Sequence, residues 1–186
     1  MKQNNTGKTS RTRSSTQISR RSMAVMTATA FFAQPVIADD TIPNLIKLTK
    51  NANEALMQGD ANSYRELLNI SSDFTLMSPF GGQPSRASEY TPETWEKVGK
   101  FFKNGTFSQE LVQAYGSPDM VVLAVIERAN VEVGDLPAQE WALRVTLVFQ
   151  REGSNWRLSH RHADPLSHSI GVAQAATLAR GQDASD

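Results

Sequence analysis

The feature that most constrains the fold lies near the end of the chain, where the segment Leu143–Pro165 contains two apolar runs separated by a Gly-Ser-Asn turn. Apolar and β-branched residues on both sides of such a turn predict a β-hairpin. Strand side chains alternate between the two faces of a sheet. We therefore expect one face of the second strand to carry Trp156, Leu158, His160 and His162. A strand of this composition leads from an apolar core toward a polar site.

Length and composition restrict the number of domains, the partners and the chemistry that the chain can have. A length of 186 residues predicts one domain with appendages. The first 38 residues contain six of the 19 basic residues and no acidic one, so the remainder has 13 basic and 19 acidic residues, a net charge of −6. An acidic body argues against nucleic acid as a partner. The absence of cysteine excludes disulfides, thiolate nucleophiles and cysteine-bound zinc.

The basic N-terminus has the layout of an export signal. A Ser/Thr-rich basic stretch ends at Arg20 and Arg21, an apolar run follows, and small residues precede Asp39. The paired arginines are similar to the twin-arginine motif, although Met23 stands where Phe is usual. The apolar run is too short for a permanent membrane span. We expect residues 1–38 to direct export to the periplasm or the medium; a disordered basic tail or an organellar transit peptide is the alternative.

Hydrophobic periodicity predicts three helices before a run of long strands. The first helix is expected over 42–56, with Thr41 as its cap and Gly59 as its stop. Asp60 is expected to cap the second helix, and the third has Pro92 at its first position. The predicted strands cover residues 73–79, 106–115, 120–133, 139–151 and 155–163. This order predicts an α+β domain over 39–166, with helices on one side of a curved antiparallel sheet and a tail over 167–186. The strand 139–151 is apolar on both sides, so its uncovered face predicts a partner.

The last hairpin resembles that of the NTF2-like superfamily. The shared pattern is Arg144-x-Thr146-x-x-Phe149-x-x-x-Gly153-x-x-Trp156-x-x-x-His160-x-His162. The SnoaL-like and ketosteroid-isomerase-like proteins and the association domain of calmodulin-dependent kinase II are the branches it is most similar to. The resemblance covers roughly residues 43–165. It implies an NTF2-like (cystatin-like) cone, three N-terminal helices packed on a curved, mostly antiparallel sheet, and a homodimer formed through the open sheet face. The superfamily includes isomerases, dehydratases and non-enzymatic assembly domains, so the fold decides no reaction.

The two histidines of the hairpin are the first candidates for a catalytic role. A neutral imidazole suits proton transfer near neutral pH, and His160 and His162 are expected to point into the mouth of the cone. With Asp164 they form an alternating series that could also ligate a metal. The structural alternative is that both rings bond to neighbouring strands or acids. We expect no metal and no cofactor.

Arg144 lies in an otherwise apolar strand, where an unpaired guanidinium would be costly to bury. It could hold the carboxylate or enolate oxygen of a small acid, or pair with Glu127 or Glu140 on a flanking strand. Glu127 and Arg128 are consecutive in a strand, so they must face opposite sides of the sheet.

Aromatic residues supply candidates for an apolar cavity. The resemblance implies that Tyr64 begins the pocket wall, and Tyr115 is a possible donor at the rim. Trp95, Phe101, Phe102 and Trp141 could line such a cavity, and the alternative for them is ordinary core packing. The expected ligand-binding set is Tyr64, Trp95, Tyr115, Glu127, Trp141 and Asp164.

Two hypotheses follow. In the first, the domain is a lyase or isomerase that transfers protons on a small hydrophobic molecule, with a histidine as base and Arg144 as oxyanion or carboxylate partner. In the second, it is a non-catalytic domain that binds a small hydrophobic molecule or a small organic acid, or only assembles. Convergence of a histidine and an acid inside one cavity would favour the first.

Overall fold

A computed structural model of the chain describes residues 40–180. The predicted export segment 1–38 and the last part of the predicted tail lie outside the described residues. Within 40–180, no helix is long and apolar enough to cross a membrane.

The three N-terminal helices are present near their predicted positions. They are α1 Thr41–Met57, α2 Ala61–Leu68 and α3 Pro92–Phe101. Asp60 caps α2 as predicted, because its carboxylate accepts a hydrogen bond of 2.9 Å from the Ser63 backbone N–H. The prediction that Thr41 caps α1 is wrong: Thr41 is the first helical residue, and Asp40 precedes it without a side-chain cap.

Six strands form one sheet in the order β2-β1-β6-β5-β4-β3. The strands are β1 Thr75–Met77, β2 Ser85–Arg86, β3 Phe102–Gly116, β4 Met120–Val133, β5 Leu136–Glu152 and β6 Asn155–Pro165. Only the pairing of β1 with β6 is parallel. The α+β prediction of helices on a mostly antiparallel sheet is confirmed. The sequence did not predict β2 or the 3₁₀ turn Ala87–Glu89, and the tail contains one further helix, α4 Val172–Ala179.

The core lies between the helices and the inner face of the sheet. The most deeply buried strand residues are Val121, Leu123, Leu147, Phe149 and Leu158. Close approach of α1 to β3 needs Gly105, since a Cβ there would lie 2.6 Å from Val131 and 2.9 Å from Met57. The stop predicted at Gly59 is confirmed by its φ of +87°, a region that favours glycine.

A β-bulge in β6 changes which residues face the core. Phe149 pairs with Leu158, but the preceding residue Val148 pairs with His160, so Ser159 has no partner of its own. One unpaired residue exchanges the two faces of every residue that follows it. The prediction that Trp156, Leu158, His160 and His162 share one face is therefore wrong. Leu158 lies on the inner face, whereas both histidines lie on the outer face.

Candidate functional site

The open half of the inner sheet face, between β4, β5 and the helices, forms a cavity of about 240 Å³. Its wall is mostly aromatic and aliphatic, and all four large aromatics that the sequence suggested are part of it: Trp95, Phe101, Phe102 and Trp141. The other half of the inner face is filled by packed side chains. Leu147 and Phe149, for example, are 1% and 0% exposed. The cavity is thus a local gap in an otherwise closed core.

An ion pair between β4 and β6, the strands on either side of β5, lies in the cavity wall. Arg161 Nη1 donates to Glu127 Oε1 at 2.8 Å, and Arg161 Nη2 donates to Glu127 Oε2 at 2.6 Å. Both side chains are buried, at 10% and 4% exposure. Burial opposes the charged guanidinium, but the adjacent Glu127 carboxylate raises the pKa of Arg161 above its usual range. The two charges are therefore fixed and mutually neutralised.

Tyr64 places a phenol in the same wall. Its ring contacts Trp95, with ring centroids 6.2 Å apart, and Tyr90 also contacts Trp95, with centroids 5.1 Å apart and ring planes tilted by 35°. Tyr64 is 7% exposed, and its hydroxyl forms no hydrogen bond within residues 40–180. Burial raises the pKa of Tyr64, so the hydroxyl stays neutral and can donate a hydrogen bond.

Three aromatic side chains surround another part of the cavity. Phe80 makes edge-on contacts with Phe101 and Trp141, at centroid distances of 5.7 and 5.9 Å. Phe80 belongs to the loop between β1 and β2 and is exposed. The buried Nε1 of Trp141 has no acceptor among the described residues. The cavity thus offers two unused hydrogen-bond donors, the Tyr64 hydroxyl and the Trp141 indole.

The predicted catalytic residues lie together on the outer face, away from this cavity. His160 Nδ1 and Thr75 Oγ1 are 2.7 Å apart, and the rings of His160 and His162 are 6.5 Å apart. Asp164 lies 3.5 Å from His162 Nε2 and 3.7 Å from Arg144 Nη2. The expectation that the histidines point into the cone mouth is wrong, because the bulge at Ser159 turns them outward.

The electrostatic surroundings of this outer cluster are those of a partly solvated surface. Partial burial and the neighbouring His162 lower the pKa of His160. Arg144 is exposed and pairs with Asp164, not with Glu127 or Glu140, the two partners that the structural alternative offered. Within residues 40–180, no group of three or more His, Asp or Glu side chains is arranged to hold a metal ion.

The ligand-binding residues predicted from the sequence divide between the two faces of the sheet. Tyr64, Trp95, Glu127 and Trp141 line the cavity. Tyr115 is 61% exposed and pairs with Val122 on the outer face, and Asp164 also lies there. Glu127 and Arg128 face opposite sides as predicted, since Glu127 is buried and Arg128 is exposed.

Sequence reasoning missed Arg161, the cation of the cavity. Strict alternation from Leu158 assigned it to the outer face. One signal was available: Leu158 and Ala163 are both small-to-medium apolar residues, five positions apart, and an odd spacing between two core residues of one strand requires a bulge between them. Asn53, buried on α1 and donating to the Thr49 carbonyl at 2.9 Å, was also missed.

Comparison with known proteins identifies related domains. A family model described as a SnoaL-like domain matches residues 46–166. No curated protein gives a significant match. Many solved structures are similar, and three of them illustrate the range of descriptions.

A candidate scytalone dehydratase from Novosphingobium aromaticivorans is 10% identical with a TM-score of 0.57, and the match covers 69% of this chain and 95% of that one. A candidate association domain of calcium/calmodulin-dependent protein kinase type II from Thiobacillus denitrificans is 21% identical with a TM-score of 0.51, covering 65% and 91%. An NTF2-like protein from Cytophaga hutchinsonii is 15% identical with a TM-score of 0.53, covering 68% and 98%. At these identities the likeness shows the fold alone, and it confirms the predicted NTF2-like cone.

Proposed function

The chain belongs to the SnoaL-like domain family, and on that premise we propose that its inner cavity binds a small hydrophobic molecule. The observation that supports this most directly is the cavity itself. About 240 Å³ remains open between aromatic side chains, although well-packed protein interiors leave few voids larger than a water molecule. Polar groups without partners stand in the same wall, as is typical of ligand sites.

The arrangement favours binding over proton transfer. None of the residues that line the cavity is a histidine. The one carboxylate in the wall, Glu127, already accepts an Arg161 hydrogen bond on each oxygen. A general base must be free to take a proton from the substrate, and this carboxylate is held as half of an ion pair. Although the names of some neighbours include dehydratase, their low identity transfers no reaction to this chain.

Blocking the cavity tests the proposal. Ala129 lines the cavity on β4, and Ala142 lies on the opposite face of β5 with similar partial burial. We expect ligand-observed NMR to detect binding of 2-acetylnaphthalene, a neutral two-ring ketone, to the wild type. Ala129→Phe should abolish this binding because the added ring occupies the space, and the control Ala142→Phe should retain it. Equal binding by both variants would contradict the proposal.

We also propose that the outer sheet face forms a homodimer contact. Half-buried apolar residues continue across this face from β4 to β5, namely Val122, Ala124, Ile126 and Val148. Exposed Tyr115 and Met120 extend the same apolar surface. Light scattering should give about twice the monomer mass, and Ile126→Glu should give a monomer because it buries a charge at the contact. A monomeric wild type at micromolar concentration would refute the dimer.

For the segment outside the described residues, we propose export through the twin-arginine route to the periplasm or the medium. The paired Arg20 and Arg21 before an apolar run support it. Replacing both by Lys should leave the precursor in the cytoplasm. Continued processing near Ala38 would point instead to the general secretory route.

A further inference from the structure

The pairing of the Arg161 guanidinium with Glu127 determines which ligand charge the cavity can accept. We infer that the cavity selects a neutral molecule with one hydrogen-bonding oxygen over a small organic acid, because Glu127 already occupies the Arg161 guanidinium. This inference rests on the proposed function, and it narrows the class of ligand. It decides between the two classes, neutral and acidic, that the sequence left open.

The charges in the cavity wall sum to zero. Glu127 and Arg161 form a bidentate pair with two hydrogen bonds of 2.6–2.8 Å, and both are buried. The other charged residue at the wall, Arg128, has its side chain on the outer face, because it alternates with Glu127 along β4 and is exposed. No free cation therefore faces the cavity among the described residues.

A bound carboxylate would meet an unfavourable environment. It would either bind the remaining N–H groups of the same guanidinium beside Glu127 or lie unpaired among aromatic side chains. In the first case two anions share one cation, and in the second a buried charge has no partner; both cost free energy that a neutral ligand avoids. The ion pair therefore leaves no uncompensated positive charge in the wall with which a bound anion could pair.

The unused donors match a neutral oxygen instead. The buried Trp141 Nε1 has no hydrogen-bond partner within residues 40–180, and the Tyr64 hydroxyl lies in the same wall. An indole N–H donates only, and a phenol donates or accepts. Each would gain a hydrogen bond from a ketone, ester, ether or alcohol oxygen, and for Trp141 Nε1 this removes the cost of an unsatisfied buried polar group.

The volume sets the size of this molecule. A cavity of about 240 Å³ is many times larger than the space that a single water molecule needs. Tyr64, Tyr90 and Trp95 supply flat apolar surfaces on one side, and Phe101, Phe102 and Trp141 supply them on another. A compound of one or two rings with a single oxygen substituent fits this space and this lining.

A matched pair of probes tests the charge rule. 2-Acetylnaphthalene and 2-naphthoate have the same rings and nearly the same size, and only the second is an anion. We expect the wild-type protein to bind the ketone at least tenfold more tightly, measured by ligand-observed NMR. Glu127→Gln leaves the Arg161 charge uncompensated, so it should tighten binding of 2-naphthoate at least tenfold.

The control and a second variant keep the result interpretable. Glu140→Gln removes a carboxylate that lies on the outer face and accepts a hydrogen bond from Asn130, and it should change neither affinity. If Glu127→Gln does not fold, the double variant Glu127→Met and Arg161→Met removes both charges and should still reject 2-naphthoate. Binding of the anion by this double variant would contradict the inference.

The outcomes separate this inference from the proposal on which it rests. Wild-type protein that binds 2-naphthoate as tightly as 2-acetylnaphthalene, or more tightly, would overturn the charge rule and leave the binding function standing. Binding of neither compound would overturn the binding function and the charge rule together. A tenfold preference for the ketone, removed when Glu127→Gln tightens binding of 2-naphthoate, supports both.

Discussion

The two faces of strand β6 differ strongly in the burial and pairing of their side chains. On the inner face, Arg161 is buried and held by two short hydrogen bonds to Glu127. On the outer face, His160 and His162 are half-buried, and the contact of His162 with Asp164 is 3.5 Å long. Neighbouring residues of one strand thus occupy environments of very different polarity. Residue type suggested the histidines as the candidate site. The burial of the inner face places the candidate site there instead.

This contrast has an energetic basis. Charges that are removed from water must be paired with good geometry, so the inner pair is rigid and strongly coupled. Charges that remain in water interact weakly and are screened by salt. The inner face is therefore expected to respond sharply to substitution, and the outer face only slightly.

The largest expected difference concerns the two arginines. Arg161→Met leaves Glu127 buried and unpaired, so we expect a loss of about 3–5 kcal/mol of unfolding free energy. Arg144→Met removes an exposed arginine whose contact with Asp164 is 3.7 Å, and it should change stability by no more than about 0.5–1 kcal/mol. Urea unfolding measures both. Similar losses for the two variants would erase the distinction between the faces.

Backbone packing should show the same contrast at a smaller scale. A Cβ at buried Gly105 would lie within 3 Å of Val131 and Met57, so Gly105→Ala should destabilise the protein by about 1–3 kcal/mol. Ser108 is exposed on the outer face of the same strand, and Ser108→Ala should remain within about 0.5 kcal/mol of wild type. Thermal unfolding monitored by circular dichroism compares them. A tolerated Gly105→Ala would mean that α1 does not pack as closely on β3 as described.

Two tyrosines test whether an unpaired polar group stands in the cavity. Removing the Tyr64 hydroxyl deletes a buried group that has no partner within 40–180, so Tyr64→Phe should leave stability unchanged or raise it by up to about 1 kcal/mol. The exposed Tyr115 serves as the control, and Tyr115→Phe should have no effect. A clear loss of stability in Tyr64→Phe would show that the hydroxyl has a structural partner.

The smallest effect is expected from pH at the outer face. Burial and His162 lower the pKa of His160, so the unfolded chain binds this proton more readily than the folded protein. Stability should therefore fall as the pH decreases below about 6.5, the ordinary histidine value. The change should be slight, because the ring is partly solvated and its Nδ1 contact with Thr75 is compatible with either protonation state. In His160→Gln this part of the pH dependence should disappear when the free energy of unfolding is measured against pH. An unchanged pH profile would mean that another group causes the dependence.

The sequence predicted the architecture well because the architecture depends on local signals. The Asp60 cap, the Gly59 stop, Pro92 at a helix start and the turn between β5 and β6 act within a few residues, and the structure confirms them. The candidate site was less predictable. Half of it depends on strand register across β6, where the bulge at Ser159 exchanges the faces, and no short motif encodes that shift.

Long-range pairing was the second obstacle. Glu127 and Arg161 are 34 residues apart in the sequence, and their side chains meet across β5, which lies between their strands. The sequence offered Arg144 as the partner of Glu127, since that arginine is on the adjacent strand. A long guanidinium side chain can reach past a neighbouring strand when the inner face is closed to water, and strand order alone does not show this.

We propose that the inner cavity, and not the outer histidines, is the binding site. The most direct test is the affinity for 2-acetylnaphthalene in two variants, the outer pair His160→Ala with His162→Ala and the inner Tyr64→Phe. We expect the histidine variant to bind within about twofold of wild type, and Tyr64→Phe to bind at least fivefold more weakly through the lost hydrogen bond, about 1 kcal/mol. Loss of binding in the histidine variant with full binding in Tyr64→Phe would contradict it.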